Sequence, residues 1–211
     1  MGYYPIFLEL NGRSCVVIGG GAVAERKVEE LLAMGARVTL ISPTITDRLR
    51  DLFAQSSIRY AERAYQEGDL ADSDLVFAAT EDRAINAAAF REARAQRIWI
   101  NSADDAAHCD FILPGLIRRG DLTVAVSTGG ASPAATRAIR EELDNYFTAD
   151  YARFVQVASE ARCRLREKSL SASGAAWNKA LKGDFRRLIQ EGRTEEARNL
   201  LIETLENNLC V

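Results

Sequence analysis

Three consecutive glycines, Gly19 to Gly21, stand between an apolar run and a helix-like pattern in SCVVIGGGAVAERK. A short β-branched run ended by glycine reads as a buried strand, here residues 14–19. Val23, Lys27, Leu31 and Met34 then recur at helical spacing and predict a helix over residues 22–34, stopped by Gly35. RVTLIS, residues 37–42, is a second strand, closed by Pro43. Strand, helix and strand make a βαβ unit, whose crossover is right-handed for steric reasons.

The alternation goes on. The pattern predicts a helix over 45–54, a short strand over 58–61, a strand in DLVFAAT (74–80), an alanine-rich helix over 84–96 and a strand in RIWIN (97–101). Strands alternating with helices imply a parallel sheet with helices on both faces, so residues 1–112 read as a Rossmann-type α/β domain. The rhythm then changes. FILPGLIRRGDLTVAVST (111–128) looks like two strands joined at Gly120 and Asp121, followed by a helix over 133–146, which gives a small mixed region over 113–147. Residues 148–211 show no strand pattern and read as an all-helical C-terminal domain, with helices over 149–168, 175–191 and 194–208.

A strand, a glycine turn and a helix N-terminus form an anion site, because the helix dipole and its unpaired N–H groups converge there. Gly19, Gly21 and Ala24 fit G-x-G-x-x-G/A. In that pattern the first glycine makes the turn, the second lets backbone approach a pyrophosphate, and the third small residue lets helix and strand pack. Dinucleotide binding follows, with Ala22 and Val23 opening the helix beside the glycines. An NAD site ordinarily has Asp or Glu at the end of the second strand. This chain has Ser42, Pro43 and Thr44 there. Their hydroxyls suit a ribose and repel no 2′-phosphate, so the residues alone leave NAD and NADP both open. Thr80 and Asn101 end later strands at the carboxyl edge, where a cofactor lies in this fold. Thr80 is the cofactor-neighbour candidate.

Charge and cysteine usage narrow the class. With 27 Lys and Arg against 30 Asp and Glu, the net charge is -3, which argues against a general nucleic-acid binder. The four cysteines, Cys15, Cys109, Cys163 and Cys210, form no CxxC pair, so neither a disulfide framework nor a zinc site is expected. MGYYPIFLEL lacks the layout of a secretory signal, and no apolar run reaches the roughly 20 residues of a membrane helix. A cytoplasmic, membrane-free protein is the expectation.

VVIGGGAVAERK, FAATED and INSADDAAHCDFILPGLIRRGDLTVAVSTGGASPAATRAIREEL together resemble the precorrin-2 dehydrogenase family. This is the siroheme-synthase N-terminal module, which includes the bifunctional dehydrogenase/ferrochelatase of yeast. The resemblance is clear over residues 1–147, YYPIFLEL included, and looser beyond. It implies NAD-dependent oxidation of precorrin-2 to sirohydrochlorin, with ferrochelation of the product to siroheme in some members and ferrous iron then a substrate. It also implies a homodimer built on the later strands and helices. Longer relatives carry a fused methyltransferase that makes precorrin-2. None is seen before Val211, so a separate methyltransferase is expected to supply the substrate.

The family's carboxylate falls in an N-x-x-D pattern, which maps to Asp104, with Asp105 beside it. Oxidation removes a hydride and a proton, and Asp104 is the candidate general base. His108, the single histidine, is a weaker candidate, since a lone histidine in a polar loop is more often inert. In STGGASPAATR, Ser127, Thr128, Gly129, Gly130 and Ser132 form a second candidate anion site, with Ser132 as helix cap before Pro133. The resemblance also associates this loop with serine phosphorylation, for which Ser127 and Thr128 are the nearest hydroxyls. Arg118, Arg119 and Arg137 are candidate partners for the carboxylates of a polyanionic tetrapyrrole. No stable metal site is expected. Two other readings of the same fold are a non-catalytic NAD(P)-binding regulatory module and a Rossmann oxidoreductase with another substrate.

Overall fold

The computed structural model describes residues 2–103 and 105–208. The chain divides into two compact units, Met1–Ile112 and Leu113–Val211.

The first unit holds β1 (Ser14–Ile18), α1 (Ala22–Ala33), β2 (Arg37–Ile41), α2 (Asp47–Ala54), β3 (Arg59–Ala61), β4 (Leu75–Ala78), α3 (Arg83–Gln96) and β5 (Trp99–Ser102). Its strands form one parallel sheet in the order β3-β2-β1-β4-β5. The chain runs outward from β1 to β3, then crosses back to place β4 on the other side of β1. That reversal puts a switch point between the carboxyl ends of β1 and β4, the place where open α/β sheets bind ligands.

Side-chain alternation sorts the two faces. Cys15, Val17, Leu40 and Phe77 pack with Ala24, Val28 and Leu31 of α1 and with Leu49 and Leu52 of α2. Val16, Ile18, Val76, Ala78 and Ile100 pack with Ala89 and Ala93 of α3. The parallel sheet with helices on both faces, as expected, is what the structure shows. Burial pushes the Cys15 thiol up to about 11, with the Asp74 charge adding to the shift.

The residues that mark the helical spacing of α1 are only partly the ones it buries. Its buried residues are Ala24, Lys27, Val28 and Leu31, whereas Val23 and Met34 are exposed. Small Ala24 brings the helix close to β1, and Met34 is already the C-cap. Lys27 is buried by its stem, with Nζ 2.7 Å from Glu30 and lying over the Phe77 ring. Two strands are also shorter than the pattern suggested. Thr80 lies beyond β4, and Arg97 is the left-handed C-cap of α3, at φ 59°, rather than the start of β5.

The second unit opens with β6 (Gly115–Arg119) and β7 (Leu122–Val126), an antiparallel hairpin that pairs Gly115 with Val126 and Arg119 with Leu122. β6 begins at Gly115, after Pro114, which has no N–H for a ladder. Gly120 makes the turn at φ 56°, and a Cβ there would lie 3.2 Å from Ala152 Cβ. α4 (Pro133–Tyr146), α5 (Asp150–Glu167), α6 (Gly174–Ala180), α7 (Asp184–Gln190) and α8 (Thr194–Glu206) follow. The single helix expected over 175–191 is two, because Gly183 turns the backbone at φ 57° between α6 and α7. Val157, Ala161, Leu165, Phe185, Ile189, Leu201 and Leu205 share one core. Each of the larger side chains contributes on the order of 2 kcal/mol by leaving water. No helix among the described residues is long and apolar enough to cross a membrane.

Candidate active site

The three glycines of the turn do three different things. Gly19 sits at φ +116°, and a Cβ there would lie 2.3 Å from the Ala79 carbonyl oxygen. It lets the end of β1 pass against the backbone following β4. Gly20 faces the other way: its Cβ would lie 1.8 Å from the Thr44 carbonyl oxygen and 2.7 Å from Ser42 Oγ. Gly19 N–H donates to the Ile41 carbonyl at 2.9 Å, and Thr46 N–H donates to the Gly20 carbonyl at 3.1 Å, so the turn is tied to β2 and the segment after it. Gly21 is the N-cap of α1, with no side-chain cap and nothing within 4 Å of a built Cβ. The first N–H groups of a helix have no intrahelical partner. Here they open beside bare backbone at the switch point, where a pyrophosphate fits.

At the end of β2, Ser42 is buried, and its hydroxyl donates to the Thr44 carbonyl at 2.7 Å. The Ser42 carbonyl accepts from Tyr60 Oη at 3.0 Å. Pro43 and Thr44 are exposed. The Thr44 hydroxyl is therefore the one of the pair that reaches the surface. Thr46 caps α2 through Leu49 N–H at 3.3 Å and donates to Glu25 of α1 at 2.5 Å, which pins the two helix starts together.

Thr80 lies past the carboxyl end of β4. Its Oγ1 accepts from Asp82 N–H at 3.2 Å, and Asp82 in turn caps α3. Asn86, buried on α3, donates through Nδ2 to the Thr80 carbonyl at 2.9 Å and so holds this turn. Neither composition nor spacing singled out Asn86, because its partner is a backbone atom one turn upstream of the helix.

After β5 the chain is anchored tightly. Asn101 Nδ2 donates to the Phe111 carbonyl at 2.9 Å. Asp110 accepts from Arg94 at 2.6 Å and from Ile100 N–H at 3.2 Å. The Cys109 sulfur accepts from Ser102 N–H at 3.2 Å, and its thiol lies 3.2 Å from the Ser102 and Asp105 carbonyls. Burial pushes this thiol up, keeping it protonated. Asp104, the expected base, lies outside the described residues. Asp105 begins a single 3-10 turn, Ala106–His108, and accepts from Ala107 N–H at 3.2 Å. Its other oxygen is 2.6 Å from His108 Nδ1, and the His108 ring packs edge-on against Phe90 of α3. The hydrogen bond with His108 is the main reason the Asp105 carboxyl is held below the usual carboxylate range.

The second glycine loop belongs to the second unit. Gly129 and Gly130 follow each other at φ 63° and 86°, with open space around both. Ser127 Oγ accepts from Gly129 N–H at 3.0 Å. Thr128 Oγ1 accepts from Ser132 N–H at 3.1 Å and lies 2.9 Å from Thr136 Oγ1. Ser132 caps α4 through Ala135 N–H at 3.1 Å, with Pro133 in the first turn. Arg119 is committed to Asp144, at 3.0 Å to its carboxylate and 3.1 Å to its carbonyl. Arg118 and Arg137 are exposed and make no ion pair among the described residues.

The likeness to known proteins follows these features. A family model described as putative NAD(P)-binding matches residues 6–115, and one described as sirohaem biosynthesis protein central matches residues 119–146. The siroheme synthase of Nitrosococcus oceani is 37% identical over 208 residues, 98% of this chain and 44% of that protein. A siroheme synthase of Pseudomonas aeruginosa is 37% identical over 212 residues, 100% of this chain and 46% of that protein. The chain thus spans less than half the length of these curated relatives. The solved structure of SirC, a precorrin-2 dehydrogenase, superimposes with a TM-score of 0.75 at 26% identity, covering 97% of this chain and 100% of that one. The resemblance read from the motifs is thereby borne out.

Proposed function

The chain belongs to the NAD(P)-binding family that its residues 6–115 match, with siroheme synthases as relatives across nearly all of its length, and from that premise we propose that it oxidises precorrin-2 to sirohydrochlorin with NAD. The observation that carries the reading is the uncapped start of α1 at Gly21, open to an anion at the switch point between β1 and β4.

The residues fit a dinucleotide. The backbone from Gly19 to Val23 would hold its pyrophosphate, Thr44 a ribose hydroxyl, and the Thr80 turn, fixed by Asn86, the part beyond. When bound, NAD supplies the hydride acceptor. The protein must do the rest: hold a polyanion, orient it and remove a proton. Arg118, Arg137 and the open loop of Ser127, Thr128, Gly129, Gly130 and Ser132 are suited to the substrate's carboxylates. Asp104 takes the proton in this reading. We propose NAD over NADP from the family alone, and ferrous-ion insertion into the product as a second activity.

The protein acts as a cytoplasmic homodimer in this proposal, and a methyltransferase supplies precorrin-2. Two features of the second unit support the dimer. α4 buries no residue, and Leu113, Leu116, Ile139 and Tyr146 are exposed. Such apolar exposure suits an interface.

The test is an anaerobic assay with precorrin-2 and NAD that follows reduced cofactor and the sirohydrochlorin spectrum together. Both signals growing in step support the dehydrogenase, and ferrous or cobalt ion added to the same cuvette then tests chelation. A folded chain that binds the nucleotide and leaves precorrin-2 unchanged would refute the proposal.

A further inference from the structure

Asp105 and His108 form a pair in the loop that follows β5, at the carboxyl edge of the sheet. Asp105 Oδ2 lies 2.6 Å from His108 Nδ1. The pairing is built in by the backbone: His108 N–H donates to the Asp105 carbonyl at 3.1 Å, and Asp105 Oδ1 accepts from Ala107 N–H at 3.2 Å. Phe90 of α3 closes on the imidazole, with ring centroids 4.8 Å apart at 61°. The ring is therefore held from two sides.

The proton arrangement follows from chemistry. An ionised carboxylate accepts hydrogen bonds and cannot donate them. Asp105 is held below the usual carboxylate range, so it is ionised at neutral pH. His108 Nδ1 must then be the donor, which leaves Nε2 as the basic nitrogen. Nε2 has no hydrogen-bond partner among the described residues. The side chain keeps 34% of its exposure, enough to reach water.

Among the described residues, the charged groups on the surrounding elements do not compete for it. On the loop, Asp110 is taken by Arg94 of α3 at 2.6 Å. Also on α3, Glu92 accepts from Tyr65, Gly68 N–H and Leu70 N–H, while Arg83 and Arg91 make no ion pair among the described residues. The Cys109 thiol is protonated and engaged with main-chain carbonyls.

We infer that His108, oriented by Asp105, is the relay that carries the reaction proton from the site to solvent. The inference rests on the dehydrogenase reading above. In the balanced step, a C–H bond of precorrin-2 breaks and its electron pair leaves with the hydride, which reduces the bound nicotinamide. The accompanying proton, taken from the ring system by Asp104 in that reading, passes to Nε2 to form an imidazolium and then to water. The Asp105 carboxylate stays ionised throughout and stabilises the imidazolium, as a carboxylate behind a catalytic histidine does. Imidazole suits a relay because Nε2 can take up a proton and release it to water while Nδ1–H stays bonded to the carboxylate.

The chain has one histidine, so the test reads a single site. Nitrogen-15 NMR of the full chain at neutral pH should show the Nδ1–H tautomer, and Asp105→Asn should remove that preference. In turnover, His108→Gln should lower kcat about 100-fold, the lower end for general acid–base catalysis, with KM for NAD unchanged. Free imidazole in the buffer should restore much of the loss, which a packing defect would not allow. A wild-type enzyme that turns over, with His108→Gln equally fast or slow beyond rescue, overturns the relay alone. An Nε2–H tautomer in the wild type overturns it as well. A wild-type chain that binds nucleotide and leaves precorrin-2 unoxidised overturns the functional reading and the relay with it.

Discussion

A Cβ on Gly20 would lie 1.8 Å from the Thr44 carbonyl oxygen, closer than any packed pair of atoms. The middle glycine is thus demanded by the fold, since the segment after β2 returns against it. Gly20→Ala must push apart backbone on both sides, because Thr46 N–H is also hydrogen-bonded to the Gly20 carbonyl at 3.1 Å. We expect a loss of about 3 kcal/mol or more, at the upper end for overpacking. Urea unfolding measures it, and a variant as stable as wild type would contradict the packing described.

Gly21, one residue on, has open space where its Cβ would go and a backbone at φ −85° that any residue adopts. Gly21→Asp should therefore fold normally. It should nevertheless abolish dinucleotide binding, because the new carboxylate would stand at the proposed pyrophosphate position and take over the helix N-terminus. Calorimetric titration with NAD separates the two variants: Gly20→Ala fails through stability, Gly21→Asp through binding alone. Unchanged affinity in Gly21→Asp would refute the placement of the pyrophosphate.

How much of this was legible in the sequence depends on the range of the interaction involved. The strand, turn and helix around Gly19 are local, so a pattern of a dozen residues carries them. That Gly20 is as constrained as Gly19 depends on Thr44, which only the folded sheet brings near. The same holds for Ser42, read as a ribose ligand by residue type, whose hydroxyl is spent on the Thr44 carbonyl. Val23, Lys27, Leu31 and Met34 carry the helical spacing, yet the buried stripe of α1 runs through Ala24, Lys27, Val28 and Leu31. Helical spacing finds a helix but does not choose between adjacent stripes when the flanking residues are also apolar. The Asp105–His108 pair has helical spacing of three, but nothing in the sequence marks the 3-10 turn that closes it.

In the proposed reaction Asp104 is the proton acceptor, by its position in N-x-x-D. As a proton acceptor, it should be replaceable by Asn without cost to folding, because amide and carboxylate are nearly isosteric. We expect Asp104→Asn to bind NAD as wild type does and to lose about 100-fold or more in kcat. Stopped-flow measurement of a single turnover gives the chemical step directly. A wild-type rate would remove Asp104 from the mechanism while leaving the fold and the nucleotide site as they are.

Glu92 is buried on α3 and ties down the segment that leads into β4. It accepts from Gly68 N–H at 3.0 Å, Leu70 N–H at 3.1 Å and Gln96 Nε2 at 3.1 Å, and from the Tyr65 hydroxyl. Burial pushes the Tyr65 hydroxyl up, and Glu92 adds to the shift, so the tyrosine stays a donor. Glu92→Ala leaves two main-chain donors without a partner, at about 1–3 kcal/mol each where water cannot reach them. A loss of about 3 kcal/mol is expected, with Glu92→Gln losing less. Hydrogen exchange at Leu70 should accelerate in the alanine variant, and an unaltered rate would show that the clamp is dispensable.

In the second unit, Arg186 lies 2.7 Å from Asp150 and stacks at 4.1 Å over the Tyr151 ring, joining the start of α5 to α7. Burial raises the Asp150 carboxyl, but the Thr148 hydroxyl and the Arg186 charge outweigh it and hold the group below the usual range. A carboxylate depressed in the folded state stabilises fully above its unfolded value. That contribution begins to fade below about pH 4 and is gone once the pH passes the depressed native value. Arg186→Ala should therefore cost about 3 kcal/mol at pH 7, as breaking a largely buried pair does. The gap between variant and wild type should narrow steadily toward acid. It should not close entirely, because the guanidinium also covers Tyr151 and Phe154, and that packing does not titrate. Urea unfolding of both proteins from pH 7 to the acid limit of the native state measures the gap. A difference that stays constant across that range would mean that Arg186 acts through stacking alone.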